Sequence, residues 1–461
     1  MRIEGCALPI SPINPIIPII PISPICPIGP INPLPPYIMN RIASILALML
    51  VSISVSAQKS AREEIAENPY LCGSNHLDYD NYPATAPLTP APKGYEPYYM
   101  SHYGRHGARW LLGDGEYTES IEILRKAKAQ GKITNKGNEV LAQLEQFYPC
   151  TIKRLGDLTT VGERQHHGIG RRMAEHFPQI FKKKGVHINA RSTVVIRCIL
   201  SMEAECEELA AANPTAVFHN DVSQAFQYYL NAPWPKRLRD QDRWGPLAEL
   251  REKWTQPDRL MDVLFNDRQW VADSLKAGGF MRHLFNIASN MQSHEGAPDL
   301  LKLFTTQELY DQWRIRNVEW YLAHGHAPQT SGIMPFSQSE LLKNIIHTAD
   351  TVRQVQATLR FGHEVCVMPL ACLLELGTCG ARVENLEELD ATWRNYNIFP
   401  MGCNIQLIFY RPKKGRAGDI LVKALLNERE QTLPVATTQH PYYRWADLRA
   451  YYLKKLEGFG N

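Results

Sequence analysis

Arg105-His106-Gly107-Ala108-Arg109 constrains this chain more than any other stretch. It follows an aromatic run, residues 95–100 (YEPYYM), that reads as a short strand, so His106 falls where a strand breaks into a loop. Open α/β folds place their sites at such strand ends, outside the carboxyl edge of the sheet. Gly107 lets the backbone turn tightly directly after the histidine. An imidazole between two fixed guanidiniums suits attack on a phosphoryl group whose oxygens the arginines hold. Taken alone, the same residues also fit a loop of solvated basic side chains.

The N-terminal end reads differently. From Pro9 the chain repeats Pro-Ile-x with period three, which rules out helix and internal strand. Met39-Asn40-Arg41, an apolar run over 42–55 and Ser56-Ala57 then form a signal peptide over 39–57. A signal peptide begins at the true N-terminus, so residues 1–38 read as an upstream start-site artefact. The competing reading is a retained proline-rich extension ahead of a membrane anchor. The expected mature chain, 58–461, is exported to a periplasm or the medium and has no membrane partner. The formal charge of +3 becomes +2 without the leader, a balance that argues against nucleic acid as a partner. Oligomeric state is left open.

Further along, residues 117–130 have helical spacing at Ile121, Leu124 and Ala127. Lys126 and Lys128 there form a possible rim for a polyanion, or a solvated helix face. Thr159 opens a helix that carries His166 and His167 as surface or packing residues. A strand over 186–190 leads through a Ser/Thr-rich turn to a second helix with Arg197 four residues before Ser201; Arg191 is the competing arginine. From about residue 240 to 335 the texture is helical, with a capping box at Thr305–Glu308 ahead of Leu309, Trp313 and Trp320. His324-Gly325-His326 lacks companion ligands and reads as a solvent loop. A second capping box, Ser337–Glu340, opens a helix expected to carry Leu341, Ile345, Ile346, Val352 and Val355. Residues 358–362 read as a strand ending in His363-Glu364, followed by strands over 403–410 and 419–425 and a helix over 445–455. No CxxC pair occurs; Cys372 and Cys379 are close enough in sequence to bridge. Cys198 and Cys206, about 12 Å apart on one helix, are not.

These pieces together resemble the histidine phosphatase superfamily in its acid-phosphatase and phytase branch. RHGAR is similar to its signature, Leu158-Thr159-x-x-Gly162-x-x-Gln165 to the segment that follows, and Arg197 to its second phosphate-binding element. SHYGRHGARW and LRFGHE are most similar to bacterial multiple inositol-polyphosphate phosphatases. The resemblance implies an α/β domain, 58–240 with 336–461, built on a mostly parallel open sheet flanked by helices. An α-helical cap over 241–335 is inserted into it. It implies His106 as nucleophile, Glu364 as proton donor, and Arg105, Arg109, Arg197 and His363 around the phosphate, with no metal or cofactor. The family shows His-Asp or His-Ala-Glu where this chain has His363-Glu364, which puts the placement of the donor in question. The implied substrate is a small, polyanionic phosphate monoester such as phytate. A general acid phosphatase for sugar phosphates or nucleotides and a non-catalytic phosphate-binding protein are the competing readings.

Overall fold

The computed structural model describes residues 59–82, 86–415 and 417–460. The proline-isoleucine segment and the signal peptide lie outside the described residues.

Eight strands form one sheet: β1 (Tyr95–Arg105), β2 (His187–Ser192), β3 (Val217–Val222), β4 (Val355–Gly362), β5 (Asn404–Pro412), β6 (Leu421–Leu426), β7 (Arg429–Gln431) and β8 (Tyr443–Arg444). Their order is β3-β2-β4-β1-β5-β6-β7, with β8 paired to β6. The strands β3-β2-β4-β1 are mutually parallel, and β5 to β8 add an antiparallel side beyond β1. The expected α/β architecture is therefore present, and the parallel half carries the site.

Numbering helices of ten or more residues, the chain has α1 (Gly115–Ala129), α2 (Asn135–Phe147), α3 (Thr160–His176), α4 (Ile196–Ala212), α5 (Gly245–Trp254), α6 (Ala277–Asn290), α7 (Thr306–His324), α8 (Ser339–Thr351), α9 (Glu364–Leu373) and α10 (Trp445–Gly460). Side chains alternate across β1, so Tyr99 and Tyr103 enter one core with Ile345 of α8, Leu370 of α9 and Leu448 of α10. Met100 enters the other with Ile169 of α3 and Met202 of α4. Helices thus cover both faces, as parallel strands require.

β1 runs five residues beyond the expected strand, so Ser101 to Arg105 are sheet and not loop. Their polar pattern hides this; β4 and β5 on either side pair the backbone whatever the side chains. β3 has no apolar alternation either, because it is an exposed edge. The capping box at Thr305–Glu308 is formed in both halves. The one at Ser337–Glu340 is not: a tight turn over Met334–Gln338 runs straight into α8, and Glu340 instead bonds Lys343. That helix ends at Thr351, leaving Val352 as its C-cap and Val355 as the first residue of β4. All eight cysteines of the described chain are free thiols, including Cys372 and Cys379.

The stretch 241–335 contributes helices and no strand of the sheet. Its core is shared, however, with α1, α2 and the short helix Ala61–Glu67: Ile65, Leu124 and Leu141 pack in one cluster with Leu264, Leu284 and Trp313. Trp110 and Leu111, just past the RHGAR loop, belong to the same cluster. The helical layer is thereby anchored to the end of β1.

Candidate active site

The register of β1 on β4, Arg105 opposite Gly362, brings the two halves of the site side by side. His106 N donates to Gly362 O (3.0 Å), and the next residue on β4 is His363, the N-cap of α9. The chain then turns sharply between α3 and α4. A Cβ on Gly107 would stand 2.3 Å from Gly162 O in the first turn of α3, so only glycine passes there. Gly107 N donates to Ser201 Oγ of α4 (3.1 Å), and Ala108 N donates to Gln165 Oε1 of α3 (2.9 Å). Thr159 both N-caps α3 and donates to Ala108 O. The loop is pinned on both sides by the N-terminal halves of two helices.

Inside this frame His106 and Arg105 are fully buried. His106 Nδ1 lies 2.8 Å from Gly107 O, a contact that requires the proton on Nδ1 and leaves Nε2 with a free lone pair. Glu364 Oε2 stands 3.5 Å from that Nε2 and 3.1 Å from Arg105 Nε. Arg105 Nη1 donates to Asn75 O and Phe399 O, which fixes the guanidinium plane. His363 presents its ring edgewise to His106 at 5.7 Å between centroids, and its Nε2 lies 3.4 Å from Thr193 Oγ1. Arg197 Nη1 donates to Gly156 O. Arg105 Nη2, Arg109 Nε and Arg197 Nε are buried without partners. Orphaned guanidinium donors around one imidazole are costly unless an anion fills the space between them.

The electrostatics agree. Burial holds His106 well below the ordinary imidazole range; Glu364 opposes this, and Arg105 and Arg197 add to it. His363 is pushed down to about 4 by burial and the same arginines, against Glu364. Burial pushes Glu364 up, but Arg105, His106 and Arg109 outweigh it and hold the carboxyl well below its usual range. The resting site is a neutral, nucleophilic imidazole beside an ionised carboxylate. Ligand atoms of His106, His363 and Glu364 converge within 4.8 Å. A metal ion there would face Arg105, Arg109 and Arg197 and compete with Arg105 for Glu364, so the donor set does not fit a cation.

Other expected residues fall elsewhere. Lys126 and Lys128 are exposed in the last turn of α1, whose first turn adjoins the RHGAR loop, and Lys126 Nζ sits over Trp270. More than two helical turns separate them from the loop, so they do not rim this site. Arg191 pairs with Asp221 and covers Phe226, away from the cleft. His324 and His326 are buried, not a solvent loop: His324 stacks on Trp320, and His326 is bonded to Gly332 O and Cys372 O. His166 is a packing residue, buried against Glu205 at 2.7 Å. The sequence gives no signal for His76, which lies in the field of Arg105 and Arg109, or for Asn290, which donates to Arg109 O. A cavity of about 640 Å³ opens one residue past Arg109, lined by Trp110, Phe147, Arg154, Thr159 and His294.

No protein-family model matches the chain. No curated protein matches it either. Solved structures do. The multiple inositol polyphosphate phosphatase of Bifidobacterium longum, in complex with inositol hexasulfate, superposes with a TM-score of 0.65 at 18% identity over 83% of this chain and 97% of that one. The phytase of D. castellii gives 0.63 at 14% identity over 83% and 85%. The apo phytase of Hafnia alvei gives 0.50 at 13% identity over 80% and 98%. With strand order, helical layer and loop geometry in place, the described chain has the fold of these inositol polyphosphate phosphatase and phytase structures.

Proposed function

We propose that this protein is an exported phosphomonoesterase that hydrolyses inositol polyphosphates such as phytate through a phosphohistidine on His106. The observation that carries the reading is that Arg105 Nη2, Arg109 Nε and Arg197 Nε are buried without partners, on arginines whose charges all reach His363 beside His106. A phosphoryl group held there accepts from all three arginines and from His363. His106 Nε2 attacks phosphorus, the N–P bond forms and the ester P–O bond breaks. Glu364, protonated from solvent once the phosphoryl group is bound, gives that proton to the leaving alkoxide, then takes one from water as that water attacks phosphorus, breaks the N–P bond and releases orthophosphate. The dianionic phosphoryl group shares Arg105 with Glu364. That second anion raises the affinity of Glu364 for the proton it must donate. The B. longum phosphatase, of the same fold, is in complex with inositol hexasulfate, a likeness that supports the polyanionic substrate class. Export rests on the signal peptide read over 39–57.

One observation favours a second reading. The cavity beyond Arg109 is aromatic: the Trp110 and His294 rings lie 4.0 Å apart, and Arg154 lies over Trp110. Burial and then Arg154 hold His294 down to about 4, so its ring is neutral. Such walls suit a planar leaving group, as in a nucleotide, more than a ring of phosphates.

Phosphate release with EDTA present, from phytate, a sugar phosphate and a nucleotide side by side, decides between them. Preferred release from phytate supports the first reading, and preferred release from the nucleotide moves the protein to the second. Acid-stable turnover by His106→Ala would sink the covalent mechanism for both.

A further inference from the structure

The helical layer holds a smaller cavity, about 270 Å³, lined by Arg251 of α5, Arg282 and Phe285 of α6, and Ile315, Arg316 and Glu319 of α7. Three guanidiniums share one carboxylate. Arg251 Nη2 lies 3.7 Å from Glu319 Oε2. Arg316 Nη2 donates to Asn286 Oδ1 (2.8 Å) and its guanidinium lies over Phe285. Arg282 has no hydrogen bond or ion pair among the described residues and feels Arg251 and Glu319 only at a distance. Arg251 Nε and Arg316 Nη1 are buried and unpartnered. Burial and the Arg251 charge pull Arg282 below its ordinary value against Glu319, and burial does the same to Arg316. Clustered, partly buried like charges with orphaned donors destabilise a fold unless an anion completes them.

We propose that this cavity is a second anion site, separate from the phosphoryl cradle at His106, and that it takes a phosphate group. Guanidinium forks match phosphate oxygens in geometry and charge, and the cavity admits a compact anion and no polymer. The site is linked to the loop after His106 by a charge and by a chain of hydrogen bonds. The Arg316 charge reaches His76, which lies also in the field of Arg109 and Arg105. Asn286, held by Arg316, donates to Glu116 Oε2 (2.9 Å), and Glu116 Oε1 accepts from Leu112 N and Gly113 N, three and four residues past Arg109. The phosphate has two possible sources: a distal group of a polyphosphorylated polyol, which rests on the function proposed above, or free orthophosphate, which does not.

Calorimetric titration of the protein with orthophosphate, and separately with inositol hexasulfate, tests the site in wild type, Arg282→Ala and Arg251→Gln. Arg282 is half-buried and makes no hydrogen bond, so its removal leaves packing least disturbed. Wild type is expected to bind anion at two places, and each variant to lose or weaken about tenfold one of them. A parallel tenfold fall in kcat/KM for phytate relative to p-nitrophenyl phosphate identifies the distal group of the polyol as occupant. An unmoved ratio with lost orthophosphate binding identifies the free ion. Identical titrations of wild type and both variants with both anions overturn the proposal. If wild type hydrolyses neither ester yet keeps Arg282-dependent binding, the catalytic reading falls and the site stands.

Discussion

Arg105 and Glu364 form a buried ion pair, Nε to Oε2 at 3.1 Å, at the point where β1 and β4 deliver the two halves of the site. The pair couples a fully buried guanidinium to a carboxylate from the other half of the site. Arg105 is the largest of the charges that hold the Glu364 carboxyl well below its usual range; on the function proposed above, a second anion beside Arg105 raises it again.

Replacing Glu364 by Gln preserves the contact with Arg105 and removes the transferable proton. kcat is expected to fall by about 10²–10⁴ on alkyl phosphates. The loss should be much smaller on p-nitrophenyl phosphate, whose leaving group needs no proton. Steady-state kinetics on both esters check this, and equal losses would assign Glu364 a positioning role.

Arg197→Ala is expected to lower kcat/KM by about 10²–10³, the effect of removing one donor to developing phosphoryl charge. Arg191→Ala should stay within about twofold, because Arg191 is committed to Asp221. The two variants, assayed together, separate the candidates that sequence left in competition.

Acid is expected to destabilise the fold before the carboxylates titrate. Burial pushes His102 and His324 down to about 3 and His294 and His363 to about 4, from an ordinary 6.5. Between those values and 6.5 the unfolded chain binds protons that the folded one refuses. Stability therefore falls as pH falls, by about 1.4 kcal/mol per unit for each such group. Glu364, depressed in the fold, adds a contribution present above its unfolded value and lost as pH drops through its folded one. Urea midpoints measured from pH 7 to pH 4 should decline steeply; a flat profile would show these histidines titrating normally.

His166 of α3 and Glu205 of α4 bond at 2.7 Å with both side chains fully buried, His166 next to Gln165 and Glu205 one turn beyond Ser201, the two residues that pin the loop after His106. Removing either partner leaves the other orphaned and is expected to cost about 3–5 kcal/mol, whereas the double change to Leu should recover much of it. Denaturant unfolding of the single and double variants measures the difference.

Gly107→Ala is expected to abolish activity and lower Tm, since its Cβ would overlap the backbone of Gly162. Gly113→Ala, whose Cβ would meet nothing closer than 3.6 Å, serves as the control and should leave Tm within a degree or two. Thermal melts of the two variants give the comparison.

The local motifs were legible because their meaning is carried by short spacings. RHGAR after an aromatic run placed His106 at a strand end, Thr159 capped its helix, and Thr305 with Glu308 formed their box, each decided by a few neighbouring residues. The Ser337–Glu340 box failed locally, to the turn over Met334–Gln338, and the other failures depend on partners distant in the chain. Ser101 to Arg105 carry no strand pattern and are strand because β4 and β5 flank them. Lys126 and Lys128 are near the loop in sequence and removed from it by the length of a helix, while His76 is distant in sequence and close in space. The sequence by itself determined which reactive groups stand together in short motifs, the His106 imidazole between two guanidiniums and the Glu364 carboxylate after His363, because side-chain chemistry is local. Only the tertiary structure decided that the Arg197 charge reaches His106 while Arg191 is paired with Asp221, and that three arginines of separate helices share one cavity. Those outcomes follow from sheet register and helix packing, which no single segment encodes.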